Sequence, residues 1–113
     1  MYGTIARLRV KPGAEPLLVA QTRALRTDDR PGGSRMHGWV ATWLYRASRD
    51  PQELWLVVAF TDEAAYRANA AMNSQHQWYL RVRGCLEADP EWIDGDVLAC
   101  MPEPEAAPQE QRD

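Results

Sequence analysis

The stretch from Glu53 to Trp92, ELWLVVAFTDEAAYRANAAMNSQHQWYLRVRGCLEADPEW, decides the fold of this chain. It predicts a buried strand, then two helices, and then an exit through Pro90. The strand, Glu53 to Phe60, carries apolar residues on both faces at period two, which is typical of a strand that is covered on both sides. Thr61 or Asp62 is expected to cap the helix that follows.

The second helix of this stretch is predicted to begin near Ser74 and to end before Asp89 and Pro90. Asn73 or Ser74 is the expected N-cap. Three apolar residues of this helix fall on one stripe, which is expected to face a sheet: Tyr79, Val82 and Leu86.

Outward from this stretch, the sequence predicts three more strands and one more helix. Residues 2–10 alternate as a first strand, and residues 14–26 follow as a helix. After a polar loop at residues 27–34, Met36 to Arg46 predicts a second strand that pairs with the Glu53 to Phe60 strand as a hairpin. Ile93 to Cys100 predicts the last strand. One face of the second strand is expected to carry His37, Trp39, Ala41, Trp43 and Tyr45.

The resulting order, β-α-β followed by β-α-α-β, predicts an α+β fold of the ferredoxin-like kind. In that fold an antiparallel four-stranded sheet has helices on one face. Its other face would here be a large apolar patch, and packing against a second copy would remove it from water. We therefore expect a homodimer of one domain, residues 1–101, with a disordered, acidic and proline-rich tail at residues 102–113.

The charge distribution argues against nucleic acid and membrane surfaces as partners. The net charge of −3 comes from the tail, so the rest of the chain is neutral and has no basic run. The sequence contains no apolar run of the roughly 18 to 20 residues that span a bilayer and no leader pattern, so a cytoplasmic protein is expected. Cys85 and Cys100 are expected to be buried and reduced rather than joined in a disulfide.

Four segments of the chain resemble the antibiotic biosynthesis monooxygenase family, the dimeric α+β barrel proteins. They are MYGTIARLRVKPG, ELWLVVAFTDEAAYRAN, SQHQWYLRVRGCLEADPEW and DGDV, and the resemblance covers about residues 2–98. It implies two ferredoxin-like subunits in a shared barrel, each with a small apolar pocket between its sheet and helices. Members include monooxygenases that use no cofactor, haem-degrading enzymes, isomerases and proteins without demonstrated activity.

Two polar residues are candidates for catalysis. His76 lies in the first turn of the second helix, where its imidazole could serve as a general base toward a phenol or hydroquinone, or could simply be a surface histidine. Asn69 lies at the end of the helix that follows the Glu53 to Phe60 strand, where it could terminate that helix in a left-handed conformation. By the resemblance, Asn69 could instead hold the substrate and a peroxy intermediate.

Several aromatic residues are candidates for binding a planar ligand. Trp39, Trp43 and Trp78 are expected either to line a pocket or to pack in the core or the dimer interface. Tyr66 and Tyr79 point inward from the helices, where they either fill the core or contact a substrate. Trp92 is expected to be a packing anchor after Pro90. Arg7 and Arg9 share a strand face that is either solvated or binds an acidic group.

No metal site is predicted, because neither His37 nor His76 has a partner at ligand spacing. The resemblance to monooxygenases that use no cofactor implies that no cofactor is needed. The resemblance places the asparagine and tryptophan of haem-degrading members at Ala6 and Asn69, so haem degradation is disfavoured. The sequence thus favours a cofactor-independent monooxygenase that oxidises a small aromatic, quinol-like or polyketide-like molecule with O2. The alternative is a non-catalytic ligand-binding or structural homodimer of the same fold.

Overall fold

The computed structural model describes residues 1–26 and 37–103 and contains the predicted order of elements. The strands are β1 (Tyr2–Arg9), β2 (Trp39–Arg46), β3 (Glu53–Phe60) and β4 (Glu91–Asp96). The helices are α1 (Glu15–Arg23), followed by a 3-10 turn at Ala24–Arg26, then α2 (Glu63–Ala70) and α3 (Asn73–Gly84). The predicted α+β fold is therefore confirmed.

The four strands form one antiparallel sheet in the order β2-β3-β1-β4. Strand β1 lies in the interior of the sheet, so that Ile5 is opposite Val57 of β3 on one side and Ile93 of β4 on the other. Residues that face each other across antiparallel strands point to the same side of the sheet. The register therefore assigns the paired strand residues to one of two faces.

The face toward the helices, called the inner face below, carries the core. Alternate residues of β1 and β3, such as Ala6 and Leu56, are almost completely buried there. Val82 and Leu86 pack against them from the C-terminal part of α3 and the residues after it, and Leu18 does so from α1. The predicted helix stripe is thus confirmed for Val82 and Leu86, whereas Tyr79 is half-buried beside the core.

Strand β2 begins at Trp39 instead of Met36, and Met36 lies outside the described residues. Gly38 has φ +76, a left-handed conformation that ends the strand on its N-terminal side. An irregularity in pairing between Trp39 and Ala41 then shifts the register. Trp39 consequently pairs with Phe60 on the inner face, whereas Trp43 points away, so the prediction that the two tryptophans share a face is wrong.

Helix α2 is capped as predicted, because Asp62 Oδ1 accepts the backbone N–H of Ala65 at 2.8 Å. Helix α3 is not capped as predicted: it begins at Asn73 with Met72 in the N-cap position and without a side-chain cap. Asn69 lies inside α2 with negative φ, since the described residues of positive φ are glycines. The interpretation of Asn69 as a left-handed terminator is therefore wrong.

The opposite face of the sheet, called the outer face below, exposes large apolar side chains. Trp43 is 50% exposed and Ile93 is 64% exposed, and Ile5 and Tyr45 share this face with them. Toward one end of the face, the Glu53 carboxylate is buried and accepts hydrogen bonds from Arg49 at 2.6 Å and 3.0 Å. The hydrogen bonds from Arg49 lower the pKa of Glu53 below its ordinary value.

The two arginines of the β1 outer face are paired with acidic residues. Arg7 lies 3.8 Å from Glu53, and Arg9 lies 2.5 Å from Asp50 and 3.5 Å from Glu87. An acidic ligand would have to compete with these carboxylates for either guanidinium group.

The C-terminal segment departs from the prediction in two ways. Strand β4 ends at Asp96 rather than continuing to Cys100. Cys85 is buried and free, as predicted, but Cys100 is free and only half-buried. The predicted loop at residues 27–34 and most of the predicted tail, residues 104–113, lie outside the described part of the chain. No helix that the structure describes has the length and apolar character needed to cross a membrane.

Candidate ligand-binding cavity

A cavity of about 420 Å³ lies between the inner face of the sheet and the helices. Protein pockets for small ligands have volumes of roughly 300 to 1,000 Å³, so this one suits a small molecule. The described residues of its wall come from β1, β3, β4, α2, α3 and the 3-10 turn that follows α1: Thr4, Leu25, Leu56, Val58, Phe60, Tyr66, Asn69, Ala70, Gln75, His76, Trp78, Tyr79, Trp92 and Asp94.

Five of the seven predicted site residues line this cavity: Asn69, Tyr66, His76, Trp78 and Tyr79. Trp39 and Trp43 do not line it. Trp39 packs against the core from the start of β2, and its indole N–H donates to Thr42 Oγ1 at 2.8 Å. Trp43 lies on the outer face, on the other side of the sheet from the cavity.

Trp78 forms a fixed wall of the cavity. Its side chain is 2% exposed, and its indole N–H donates to the backbone carbonyl of Gln21 at 2.7 Å. This bond joins α3 to the end of α1 and satisfies the one polar atom of the indole. Tyr79, the next residue, contacts Trp92 of β4 with ring centroids 6.4 Å apart.

Asn69 and His76 meet the cavity from two helices that a short turn connects. Asn69 is 5% exposed, and its backbone carbonyl accepts the N–H of Met72 at 3.0 Å. The N–H of His76 in turn donates to the carbonyl of Met72 at 3.2 Å. His76 is exposed although it lines the cavity, so its imidazole lies at the open side.

Tyr66 and Asp94 form a polar pair within the otherwise mainly apolar wall. The Tyr66 hydroxyl donates to Asp94 Oδ1 at 2.9 Å, and the Tyr66 ring packs against Tyr2 and Phe60 with centroids 5.3 Å and 5.7 Å away. Burial, followed by the hydrogen bond to Asp94, raises the pKa of Tyr66 to about 12. The phenol therefore stays protonated at physiological pH.

Among the lining residues that were not identified from the sequence as parts of a site are three on strands β1 and β4: Thr4, Trp92 and Asp94. Thr4 pairs with Asp94, and Ala6 pairs with Trp92, which places all of them on the inner face. The available signal was the two-residue spacing of Trp92 and Asp94. It was obscured because the predicted strand began at Ile93, one residue after Trp92.

Asp94 and His76 are the ionisable residues other than tyrosine along the described cavity wall, which contains no lysine or arginine. Within residues 1–26 and 37–103, no three His, Cys, Asp or Glu side chains are grouped as they would be around a metal ion. The described wall thus carries aromatic surface, the amides of Asn69 and Gln75, one imidazole and one carboxylate. These groups suit the binding and deprotonation of a planar organic molecule.

Comparison with known proteins gives matches in structure and none in sequence. No family model matches the chain, and no curated protein matches it. A candidate antibiotic biosynthesis monooxygenase from Bordetella bronchiseptica is 22% identical with a TM-score of 0.69, over 87% of this chain and 97% of that one. Another such candidate, from Chloroflexus aurantiacus, is 20% identical with a TM-score of 0.67, over 88% of this chain and 94% of that one.

A point mutant of SnoaB, described as a cofactor-independent oxygenase from Streptomyces nogalater, is also similar. It is 16% identical with a TM-score of 0.69, over 90% of this chain and 97% of that one. At such identities the likeness concerns the fold and leaves the reaction open. The resemblance noted in the sequence is confirmed at that level: the chain has the fold of the antibiotic biosynthesis monooxygenases.

Proposed function

We propose that this protein is a cofactor-independent monooxygenase that oxidises a small, electron-rich aromatic molecule with O2. Suitable substrates are hydroquinones, anthrones and polyketide-like phenols. The observation that carries the proposal is the aromatic-walled cavity of about 420 Å³ with His76 at its open side and Asn69 in its wall. The fold shared with SnoaB, described as a cofactor-independent oxygenase, supports the same reaction type.

The reaction balances without an added reductant. In an anthrone, a ring CH2 group becomes a carbonyl: one oxygen atom of O2 enters the product, and the other leaves as water with the two hydrogens of the CH2 group. The substrate supplies all four electrons that reduce O2. Loss of a proton from the CH2 group makes the substrate electron-rich enough to react with O2 directly, so the protein has to bind, deprotonate and shield it.

His76 is proposed as the general base and Asn69 as the residue that holds the oxygen substituent. A neutral imidazole nitrogen of His76 would accept the substrate proton from the open side of the cavity. The buried amide of Asn69 would donate a hydrogen bond to the negative charge that develops on oxygen. Trp78 and Tyr79 would stack beside the ring and keep water from the carbanion.

We propose, further, that the active form is a homodimer in which two outer faces pack together. Ile5, Trp43, Tyr45 and Ile93 are exposed on that face of one copy. Burying such apolar surface contributes about 25 cal/mol per Å², and a two-fold dimer covers the same patch on both copies at once.

Oxygen uptake with a panel of hydroquinones and anthrones tests the reaction. The wild type should consume O2, and His76→Gln and Asn69→Ala should each lower kcat by about 100-fold or more, the usual worth of a positioned base or an oxyanion donor. The chain offers a matched control for each, because His37 and Asn73 are its other histidine and asparagine and do not line the cavity. His37→Gln and Asn73→Ala should keep the wild-type rate.

The absence of uptake across the whole panel would contradict the monooxygenase proposal. It would favour the second class of function, a homodimer that binds small molecules without converting them. Equal loss of rate in His76→Gln and His37→Gln would contradict the assignment of His76 as the base.

A further inference from the structure

The cavity has a polar corner formed by Thr4, Tyr66 and Asp94, called the acceptor corner below. Thr4 and Asp94 are paired across β1 and β4, so both side chains rise from neighbouring strands on the inner face. Tyr66 reaches them from α2 through its 2.9 Å hydrogen bond to Asp94 Oδ1. The corner therefore joins three elements of the fold at one point in the cavity wall.

The hydroxyl protons of this corner are already used within the protein. Tyr66 has one hydroxyl proton, and it points to Asp94. Thr4 also has one, which is directed to the carbonyl of Ile93 at 3.3 Å or to the Tyr66 oxygen, both of them protein atoms. An ionised carboxylate has only acceptor sites. A ligand therefore finds lone pairs at this corner and no hydroxyl proton.

Asp94 is exposed at the edge of the cavity, and the charge of Arg67 acts on it only from beyond ion-pair distance. Within the described residues Asp94 forms no ion pair, and the nearby Arg67 is paired with Glu63 at 2.8 Å. When the cavity is empty, water can hydrogen-bond to the carboxylate. A ligand that displaces this water with an O–H or N–H group replaces the lost hydrogen bond. A ligand with an ether at that position leaves one acceptor site of the carboxylate without a donor, although the hydrogen bond from Tyr66 remains.

We propose that Asp94 is a specificity-determining residue that selects ligands carrying an un-ionised O–H or N–H donor on an aromatic ring, and disfavours their O-methyl ethers and their carboxylate analogues. A carboxylate is too weak a base to remove a phenol's proton at equilibrium, so Asp94 binds the donor and leaves it protonated. The selectivity of the cavity does not depend on the proposed function. The further statement that the selected ligand is the substrate does rest on the proposed function.

Binding of three bicyclic probes, measured by calorimetry under argon, tests the inference without any turnover. The probes are β-naphthol, its O-methyl ether and the β-naphthoate anion, which share one ring system and differ in one substituent. Wild type should bind β-naphthol about tenfold or more tightly than the ether, as one hydrogen bond to a charged acceptor warrants. It should bind β-naphthoate more weakly than β-naphthol because of repulsion by Asp94.

Two variants with the same change of charge locate the effect. Asp94→Asn should reduce the preference for naphthol over the ether to below about threefold, because an amide is a neutral and weaker acceptor, and should improve binding of β-naphthoate. Asp96→Asn alters the same strand two residues further on, outside the cavity wall, and should keep the wild-type preference. Tyr66→Phe should also keep it, since the carboxylate remains.

Equal affinity of wild type for β-naphthol and its ether would overturn the inference, as would a preference that survives in Asp94→Asn or failure of β-naphthol to bind. The comparison in wild type needs no variant to fold. Because the probes are stable to O2, selective binding without oxygen uptake by anthrones would refute the monooxygenase and leave Asp94 as the selecting residue. Oxygen uptake without a preference for the donor-bearing probe would refute the role of Asp94 and leave the monooxygenase proposal standing.

Discussion

The Tyr66 hydroxyl lies 2.9 Å from Asp94 Oδ1, and this hydrogen bond ties helix α2 to the edge strand β4 across the cavity. Burial, followed by this hydrogen bond, raises the pKa of Tyr66 from 10.0 to about 12. A titration followed by tyrosinate absorbance should show one group ionising near pH 12. That step should be absent in Tyr66→Phe and shifted to lower pH in Asp94→Asn.

The same shift predicts how stability depends on pH at the alkaline end. Below pH 10.0 both folded and unfolded Tyr66 are protonated, so the ionisation has no effect there. Between pH 10.0 and about 12 the unfolded chain releases this proton and the folded chain keeps it, so the free energy of unfolding falls as pH rises. The difference between the ordinary pKa of 10.0 and the folded value of about 12 limits this loss in the free energy of unfolding to about 2.7 kcal/mol. Solvent screening of this partly exposed group reduces the expected loss to about 1 kcal/mol.

Urea unfolding of wild type and Tyr66→Phe at about pH 9 and about pH 12 measures this contribution. The wild type should lose about 1 kcal/mol more than the variant over that interval. Equal losses would mean that Tyr66 ionises alike in the folded and unfolded chain.

Replacing Trp78 by phenylalanine should destabilise the fold by about 2 kcal/mol, because it leaves the Gln21 carbonyl without its indole donor and opens space in the core. Chemical denaturation measures the loss. Leu80→Ala serves as the control, since Leu80 lies on the same helix with 48% of its surface exposed. It should change stability by less than about 1 kcal/mol, and a loss as large as that of Trp78→Phe would show that general weakening of α3 is responsible.

Substitution by alanine should reduce the stability of the fold more at Gly38 than at Gly13. Both residues have positive φ, so alanine is strained at either by about 1 kcal/mol. At Gly38 the added Cβ would also lie 2.6 Å from Ala65 Cβ, whereas at Gly13 nothing is within 4 Å. In thermal unfolding, the free energy of unfolding of Gly38→Ala should be lower than that of Gly13→Ala by at least about 1 kcal/mol. Equal effects would indicate that backbone conformation alone sets the requirement at Gly38.

Sedimentation of two lysine variants tests the dimer. Ile93 is 64% exposed on the outer face, and Leu17 is 62% exposed on α1, away from that face. Ile93→Lys should convert the proposed dimer to a monomer at micromolar concentration, because two copies of the charge would be buried in the interface. Leu17→Lys should remain dimeric. A monomeric wild type would contradict the proposed assembly.

The fold was largely predictable because it follows from local periodicity. Alternation in residues 53–60 identified a strand with two apolar faces, and the turn chemistry around it gave the order of elements. The errors lie where tertiary contacts override local pattern. Gly38 and the shifted pairing after Trp39 place a tryptophan on the face opposite to the one that simple alternation predicts. Helix α3 begins without the side-chain cap that Asn73 or Ser74 suggested.

The candidate site was predictable in part, for a similar reason. Helical spacing suggested that Tyr66 and Tyr79 point inward, and the structure places both in the cavity wall. Asp94 could not be selected from the sequence, because a carboxylate in a short edge strand is usually solvated. Its place opposite Thr4 depends on strand register, and its contact with Tyr66 depends on how α2 packs on the sheet.

Incubation of the wild-type protein with an anthrone under isotopically labelled O2, followed by mass spectrometry of the product, tests the central claim most directly. A monooxygenase that works from this cavity without a cofactor predicts a quinone that carries one labelled oxygen atom per O2 consumed, with metal-free and flavin-free protein, at a rate that His76→Gln lowers and His37→Gln does not. A product that takes its new oxygen from water, or that forms equally fast without the protein, would contradict it.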